Sequence, residues 1–244
     1  MKIITAMMMA VIVFCASEIA AQTVTITGQR VVYTRPKPFA DHKRRFTVNY
    51  PKVRAATSVI SRKIESAISY ARVFKLNIQQ ERTEIQWLDE ADFTVDHNAY
   101  GVLAVTLSLE GSAAYPSGSS RSIVISTRTG SVITPAQAFV NPMALLDRIR
   151  SKQKAEIDEE RKRMKEDPDA ADIDPDELFS DKEFDGKDLE HFTLDRSGIT
   201  FIYDYGFPHV IKALEPEGRY SFRWAEIAEF IRPAGPLGGF VRIK

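Results

Sequence analysis

VLAVTLSLEGSAAYPSGSSRSIVIST, residues 102–127, is the stretch that decides the fold. In its first eight residues Leu103, Val105, Leu107 and Leu109 fall on one side of an extended chain, and Ala104, Thr106 and Ser108 on the other. That period of two marks a strand with at least one buried face. Residues 111–120 are small and polar and read as a loop, and residues 122–127 read as a further strand closed by a Thr129-Gly130 turn. Residues 83–88 and 93–98, just upstream, are strand candidates too. Consecutive strands with short connections predict an antiparallel meander.

Further upstream, residues 24–33 alternate apolar with polar and read as a strand broken by Arg35-Pro36-Lys37-Pro38. Phe46, Val48 and Tyr50 alternate again until Pro51. Across residues 57–74 the period changes: Ile60, Ile64, Ala67, Ile68 and Ala71 recur at three and four, the face of a helix that Thr57 or Ser58 can cap. Arg62, Lys63, Arg72 and Lys75 lie opposite.

Downstream, Asn141-Pro142 marks the start of a second long helix, Asn as cap and Pro in the first turn. Its stripe is Leu146, Ile149, Gln153 and Ile157. Beyond Ile157 the spacing pairs Asp158 with Lys162 and Glu159 with Arg163, predicting an end that projects into water. Residues 166–190 hold 12 acidic residues against 2 basic ones and read as a loop adding little to the core. Order resumes in a hairpin, 192–194 and 199–205, turning at 195–198. A short strand at 220–222 follows, then a closing helix marked by Trp224, Ile227, Ala228 and Ile231 and stopped by Pro233.

The first 21 residues read as a secretory leader: Lys2, then an uncharged apolar run over residues 3–16, then Ala20 and Ala21 for a signal peptidase. The run is too short for an integral membrane anchor. It carries Cys15, the only cysteine. Phe14 is bulkier than the small residues lipoprotein processing prefers before its cysteine, so Cys15 reads as discarded with the leader. The expectation is a periplasmic or secreted protein cleaved near Ala21, without thiol chemistry. The chain divides into leader (1–21), N-terminal strand and linker (22–45), α+β domain (46–232) carrying the acidic insert 166–190, and tail (233–244).

Net charge is zero, which points away from nucleic acid. The zero conceals an asymmetry, because residues 22–165 hold 23 Lys and Arg against 14 Asp and Glu. Arg44 and Arg45, within the most basic stretch, are candidate binding residues for an anionic partner.

These pieces, in this order, resemble a known family. Tyr50-Pro51-Lys52-Val53 precedes the first helix, Leu107-Ser108-Leu109 and Tyr115 precede the strand ending at Thr129-Gly130, and Ala138-Phe139 precedes the second helix. Phe192-Thr193-Leu194, Gly198-Ile199-Thr200-Phe201, Tyr205 and Arg219-Tyr220-Ser221-Phe222 follow. Over residues 46–231 the chain looks like the extracytoplasmic domain of RsiV-type anti-sigma factors and PdaC-type peptidoglycan deacetylases. The resemblance implies an α+β fold, an antiparallel sheet with helices packed on one face, and a cell-envelope role. In RsiV-type proteins this domain senses lysozyme by binding it. The resemblance offers the loop residues Tyr115, Ser117, Gly118, Ser119 and Arg121 as candidate binding residues. The family's loop often reads Gly-Gly-Ala-His, whereas this chain has Pro116-Ser117-Gly118-Ser119-Ser120. This chain shows no anti-sigma segment, transmembrane helix or deacetylase.

Catalytic motifs do not stand out. His42, His97, His191 and His209 lack the spacing of zinc ligands. Asp181, Glu183, Asp185 and Gly186 match early places of a calcium loop, but Phe192 stands where its bidentate Glu belongs. There is no Gly-x-Ser-x-Gly. Tyr203, Tyr205, Phe207, Tyr220 and Trp224 are spaced as core residues. No catalytic residue, metal or cofactor is therefore assigned. The expected function is a noncatalytic envelope protein that binds lysozyme-like proteins or peptidoglycan-related glycans. The alternative is a peptidoglycan hydrolase using a carboxylate pair.

Overall fold

The computed structural model describes residues 24–112, 115–170 and 172–242. The leader assigned to residues 1–21 lies outside them. The fold is α+β.

A five-stranded sheet has the order β1-β2-β3-β4-β5, formed by Thr25–Thr34 (β1), Arg45–Arg54 (β2), Leu88–Ala99 (β3), Val102–Ser112 (β4) and Pro116–Ser126 (β5). The five strands form two antiparallel sets, β1–β2 and β3–β4–β5. The sets are joined by a parallel pairing of Thr47 with Glu90 and Val48 with Ala91. The sheet is therefore mixed, not a pure meander. The parallel joint requires a crossover, and Ser58–Ala67 (α1), Tyr70–Val73 (α2) and Ile78–Thr83 (α3) supply it.

Several local expectations change here. Pro51 lies inside β2, beyond the short pairing with β3, where β2 has β1 alone as neighbour and a proline is tolerated. The helix expected over 57–74 breaks at Ile68 and Ser69, where the Ser69 hydroxyl donates to the Ser66 carbonyl and the backbone turns extended. Thr57 caps α1, accepting from the Ile60 N–H. Residues 83–88 are not a strand: α3, capped by Asn77, ends at Thr83, and β3 begins only at Leu88. Most of the expected 111–120 loop is ladder, with Ser112 opposite Pro116 and Gly111 opposite Ser117. Its small polar residues read as loop because this end of the hairpin has no core to face.

The alternation in β4 sorts two cores. Leu103, Val105, Leu107 and Leu109 pack with Ile64, Ala67, Ile68 and Tyr70 of the helical layer. Val102 and Ala104, on the opposite face, join a core built on a second sheet. That antiparallel sheet, in the order β6-β7-β8, comprises Phe192–Leu194 (β6), Gly198–Ile202 (β7) and Arg219–Arg223 (β8). Asp195 fixes the β6–β7 turn, its Oδ1 accepting from the N–H groups of Ser197 and Gly198. Pro135–Ala138 (α4) leads to the long helix Pro142–Glu166 (α5), and Pro175–Leu178 (α6) follows. Trp224–Ile227 (α7) and Gly238–Arg242 (α8) close the chain, and Leu237 and Phe240 enter the second core.

Asn141 sits at the start of α5 in a left-handed conformation (φ 48°), and its side chain makes no capping bond. The stripe Leu146, Ile149, Gln153, Ile157 is buried as expected and continues through Glu160 and Met164. The far end of α5 therefore does not project freely. A third cluster covers it, holding Met164, Ala170, Phe179, Tyr205 and Phe207. The ion pairs differ correspondingly: Asp158 pairs with Lys154 and Arg161, and Arg163 pairs with Glu160. The acidic segment is also structural, because Phe184 is fully buried and Phe179 and Leu189 nearly so. Glu156 fastens α5 to the second sheet, accepting from the hydroxyls of Tyr205 (3.1 Å) and Tyr220 (2.9 Å) and the Gly218 N–H (3.1 Å).

His97 is buried beside Phe240, ring centroids 5.0 Å apart. Burial lowers its pKa from the ordinary 6.5; the Ala99 carbonyl and Asp195 oppose this, and Arg196 reinforces it. The folded state therefore binds a proton at His97 less readily than the unfolded chain. The stability from neutral His97 is complete above about pH 6.5 and drains as pH falls toward the folded value. Urea midpoints at pH 7.5 and 5.5 should show this loss in the wild type and a smaller loss in His97→Phe.

Candidate functional site

On the face of the five-stranded sheet turned away from the α1–α2 layer, register aligns Thr47, Glu90, Glu110 and Gly118 in one row across β2 to β5. The second sheet covers this face near Val102, Ala104 and Val124. Toward the β4–β5 tip the face is uncovered and forms an open cleft of about 760 Å³. Arg30 and Lys43 border it on one side, Ser117 and Gly118 on the other.

Four of its five charged residues are paired. Arg30 meets Glu90 at 3.3 Å, and Lys43 meets Asp89 at 3.0 Å. Asp89 also accepts from the Ser112 hydroxyl at 2.7 Å. Glu110 stands directly across the β3–β4 ladder from Glu90. Like charges placed opposite each other in a ladder oppose pairing, and Arg30 offsets that repulsion.

Trp87 braces the hairpin. Its indole N–H donates to Ser117 Oγ at 2.9 Å, and its ring lies against Gly111, where an added Cβ would come within 2.5 Å of ring carbons. Gly111 is thus required for close approach, and Gly111→Val should displace Trp87 and lower thermal stability. A red shift of tryptophan emission, measured in a Trp224→Phe background, would report the displacement.

The expected loop residues divide between two places. Ser117 and Gly118 line the cleft on β5. Tyr115 is exposed just before the strand, and Ser119 is exposed on it. Arg121 pairs with Asp204 at 3.4 Å and borders a different groove. Arg44 and Arg45 are exposed where β2 begins, but the neighbouring Lys43 is the residue that reaches the cleft. Arg35, within the same basic stretch, is fully buried and is no part of a basic surface.

No local motif in the sequence marks Arg30, Lys43, Asp89, Glu90 or Glu110. The available signal was the polar positions of each alternating strand, which mark the solvent face. Tyr205, Phe207, Tyr220 and Trp224 are buried, as their spacing implied. Among the described residues no group of three or more His, Cys, Asp or Glu could hold a metal ion, and no helix is long and apolar enough to cross a membrane. Asp181, Glu183 and Asp185 are paired with Lys182, Arg150 and Lys187.

No family model and no curated protein matches the chain. Solved structures that share its fold include two DUF3298 family proteins. A DUF3298 family member from Bacteroides fragilis is 14% identical with a TM-score of 0.57, over 92% of this chain and 100% of that one. A DUF3298 family protein from Pseudomonas aeruginosa is 13% identical with a TM-score of 0.58, over 87% of this chain and 96% of that one. At this identity the likeness is one of fold.

Proposed function

We propose that this chain is a noncatalytic binding module of the cell envelope, exported after removal of its leader, and that the cleft between β1–β2 and the β4–β5 hairpin holds its ligand. The observation that carries this reading is the lining of the cleft. It offers hydroxyls (Thr47, Ser112, Ser117) and two carboxylates already engaged by cations, Asp89 by Lys43 and Glu90 by Arg30. Such a surface exchanges hydrogen bonds with a polyhydroxylated chain or a polar protein loop without needing to move a proton. The ligand class is peptidoglycan-related glycan or a lysozyme-like protein; the latter follows from the resemblance to RsiV-type domains.

Calorimetric titration of the mature protein with soluble peptidoglycan fragments and, separately, with lysozyme tests this. Glu110→Arg should weaken binding of the true ligand at least tenfold, about 1.4 kcal/mol, without lowering the melting temperature. If neither probe binds, the reading fails.

The hydrolase alternative has one observation in its favour. Glu90 and Glu110 are directly opposed in the cleft, and such positions place Cβ atoms about 4.5–5.5 Å apart. Both side chains leave the same face of the sheet, the arrangement a glycosidase pair requires, although Glu90 is held by Arg30 at 3.3 Å. Release of reducing sugar from peptidoglycan, abolished in Glu110→Gln, would establish the enzyme.

A further inference from the structure

A second surface lies at the edge of the same sheet, outside the cleft. β5 is the edge strand. At its C-terminal end the outward groups are used: Ser126 N–H donates to the Ser131 carbonyl, and Val124 C=O accepts from the Ile133 N–H. Strand alternation then directs the N–H groups of Ser122 and Ser120 to the same open side, since the β4–β5 register runs without a bulge. Among the described residues no protein acceptor meets either N–H. The Ser120 carbonyl accepts from Arg121 Nη1 at 2.9 Å.

This edge is built unlike a protected one. Residues 117–120 carry neither charge nor proline, Pro116 guards only the start of the strand, and Arg121, the one charge between Ser120 and Ser122, is paired with Asp204. Beside it lies a groove of about 350 Å³, walled by α1–α2 on one sheet face and by β6 on the other. Ala67, Val73, Val132 and Phe192 give it apolar walls. Arg72 stands exposed at its rim, with no carboxylate within ion-pair distance among the described residues. Arg62 and Lys63 continue the positive charge along α1, where an adjoining depression shares Ala67, Arg72 and Val132. Glu190 is the one acid lining the groove.

We propose that the β5 edge is a peptide-docking site that takes an extended acidic segment of a partner protein as an added strand. Main-chain bonds to Ser120 and Ser122 supply the pairing. Apolar side chains of the peptide enter the groove, and its carboxylates meet Arg72 and Arg62. This is strand addition, in which backbone bonds give affinity and alternate side chains give specificity. The cationic rim selects acidic over basic sequences.

The probes are fluorescently labelled eight-residue peptides of alternating valine and glutamate, measured by anisotropy on the full chain. Controls are the valine–lysine counterpart and a valine–glutamate peptide N-methylated at alternate amides. The acidic peptide should bind at least tenfold more tightly than either control, and Arg72→Glu should weaken it at least tenfold. Ser120→Pro removes an outward N–H while sparing the β4 ladder, and should weaken binding equally with an unchanged melting temperature. Should that variant fail to fold, the N-methylated peptide on the wild type measures the same bond. Absence of binding by the acidic peptide, equal binding of the basic one, or indifference to N-methylation each overturns the proposal.

Discussion

Arg35→Ala is expected to cost about 3–5 kcal/mol of stability, the range for removing one member of a buried ion pair. Arg35 is the largest fully buried side chain among the described residues. Its Nε donates to the Glu81 carbonyl at 3.2 Å, Nη1 to the Lys43 carbonyl at 2.5 Å and Nη2 to the Leu88 carbonyl at 2.5 Å. The Glu81 carboxylate stands 4.0 Å away and accepts from the Leu88 N–H at 2.9 Å. One guanidinium thus ties the end of β1 to the β1–β2 connection, α3 and the start of β3. The fork also lies over the Phe46 ring, 4.9 Å from its centroid. Truncation strands three carbonyls and leaves a buried carboxylate without its cation, and that penalty dominates the loss. Arg35→Lys should recover only part, because an ammonium cannot present the planar fork. The paired change Arg35→Met with Glu81→Gln should cost clearly less than the sum of the single changes, since the uncompensated charge is gone. Denaturant midpoints of the wild type, Arg35→Met, Glu81→Gln and the double variant give the answer. Additive losses would show that Arg35 and Glu81 do not act as a pair.

Phe184→Ala should be comparably severe, about 3–5 kcal/mol for a buried Phe emptied to Ala. Phe184 packs edge-on to Phe201 at 6.2 Å and to Tyr220 at 6.1 Å, and its N–H donates to Gln153 Oε1 at 2.7 Å. Arg150 Nε donates to its carbonyl at 2.8 Å. Replacing residues 166–190 by a Gly/Ser linker should then unfold the second sheet, because Phe179, Phe184 and Leu189 leave together. A typical domain has only about 5–15 kcal/mol to lose. Near-UV circular dichroism would register the loss of aromatic packing; an unchanged melting temperature would mean the segment is dispensable. The acidic composition of this stretch predicts a solvated loop. Composition averages over residues, whereas burial needs only three apolar side chains at the right intervals with acids facing outward between them.

The candidate site is likewise only partly legible in the chain. Ser117 and Gly118 were accessible because the small polar run containing them stands out. Glu90 and Glu110 were not, because a carboxylate on a strand's polar side looks alike whether it faces bulk water or a cleft. The row joining them to Thr47 and Gly118 exists only through register between strands distant in the chain. Arg35 beside prolines reads as a linker cation, and nothing local announces that Glu81 and three carbonyls close around it.

The local periods are legible in the chain alone: the two faces of β4, the helical stripe of α1, the dry stripe of α5, the Thr57 cap and the Asp195 turn. Each depends on neighbours within a few residues, where geometry is fixed by the backbone. The parallel β2–β3 joint, the second sheet over Val102 and Ala104, the burial of Phe184 and the open β5 edge arise from long-range packing. A period shows which side of an element must leave water, but apolar burial is non-directional. The element that covers that side is chosen by chain connectivity and by what the rest of the fold leaves exposed.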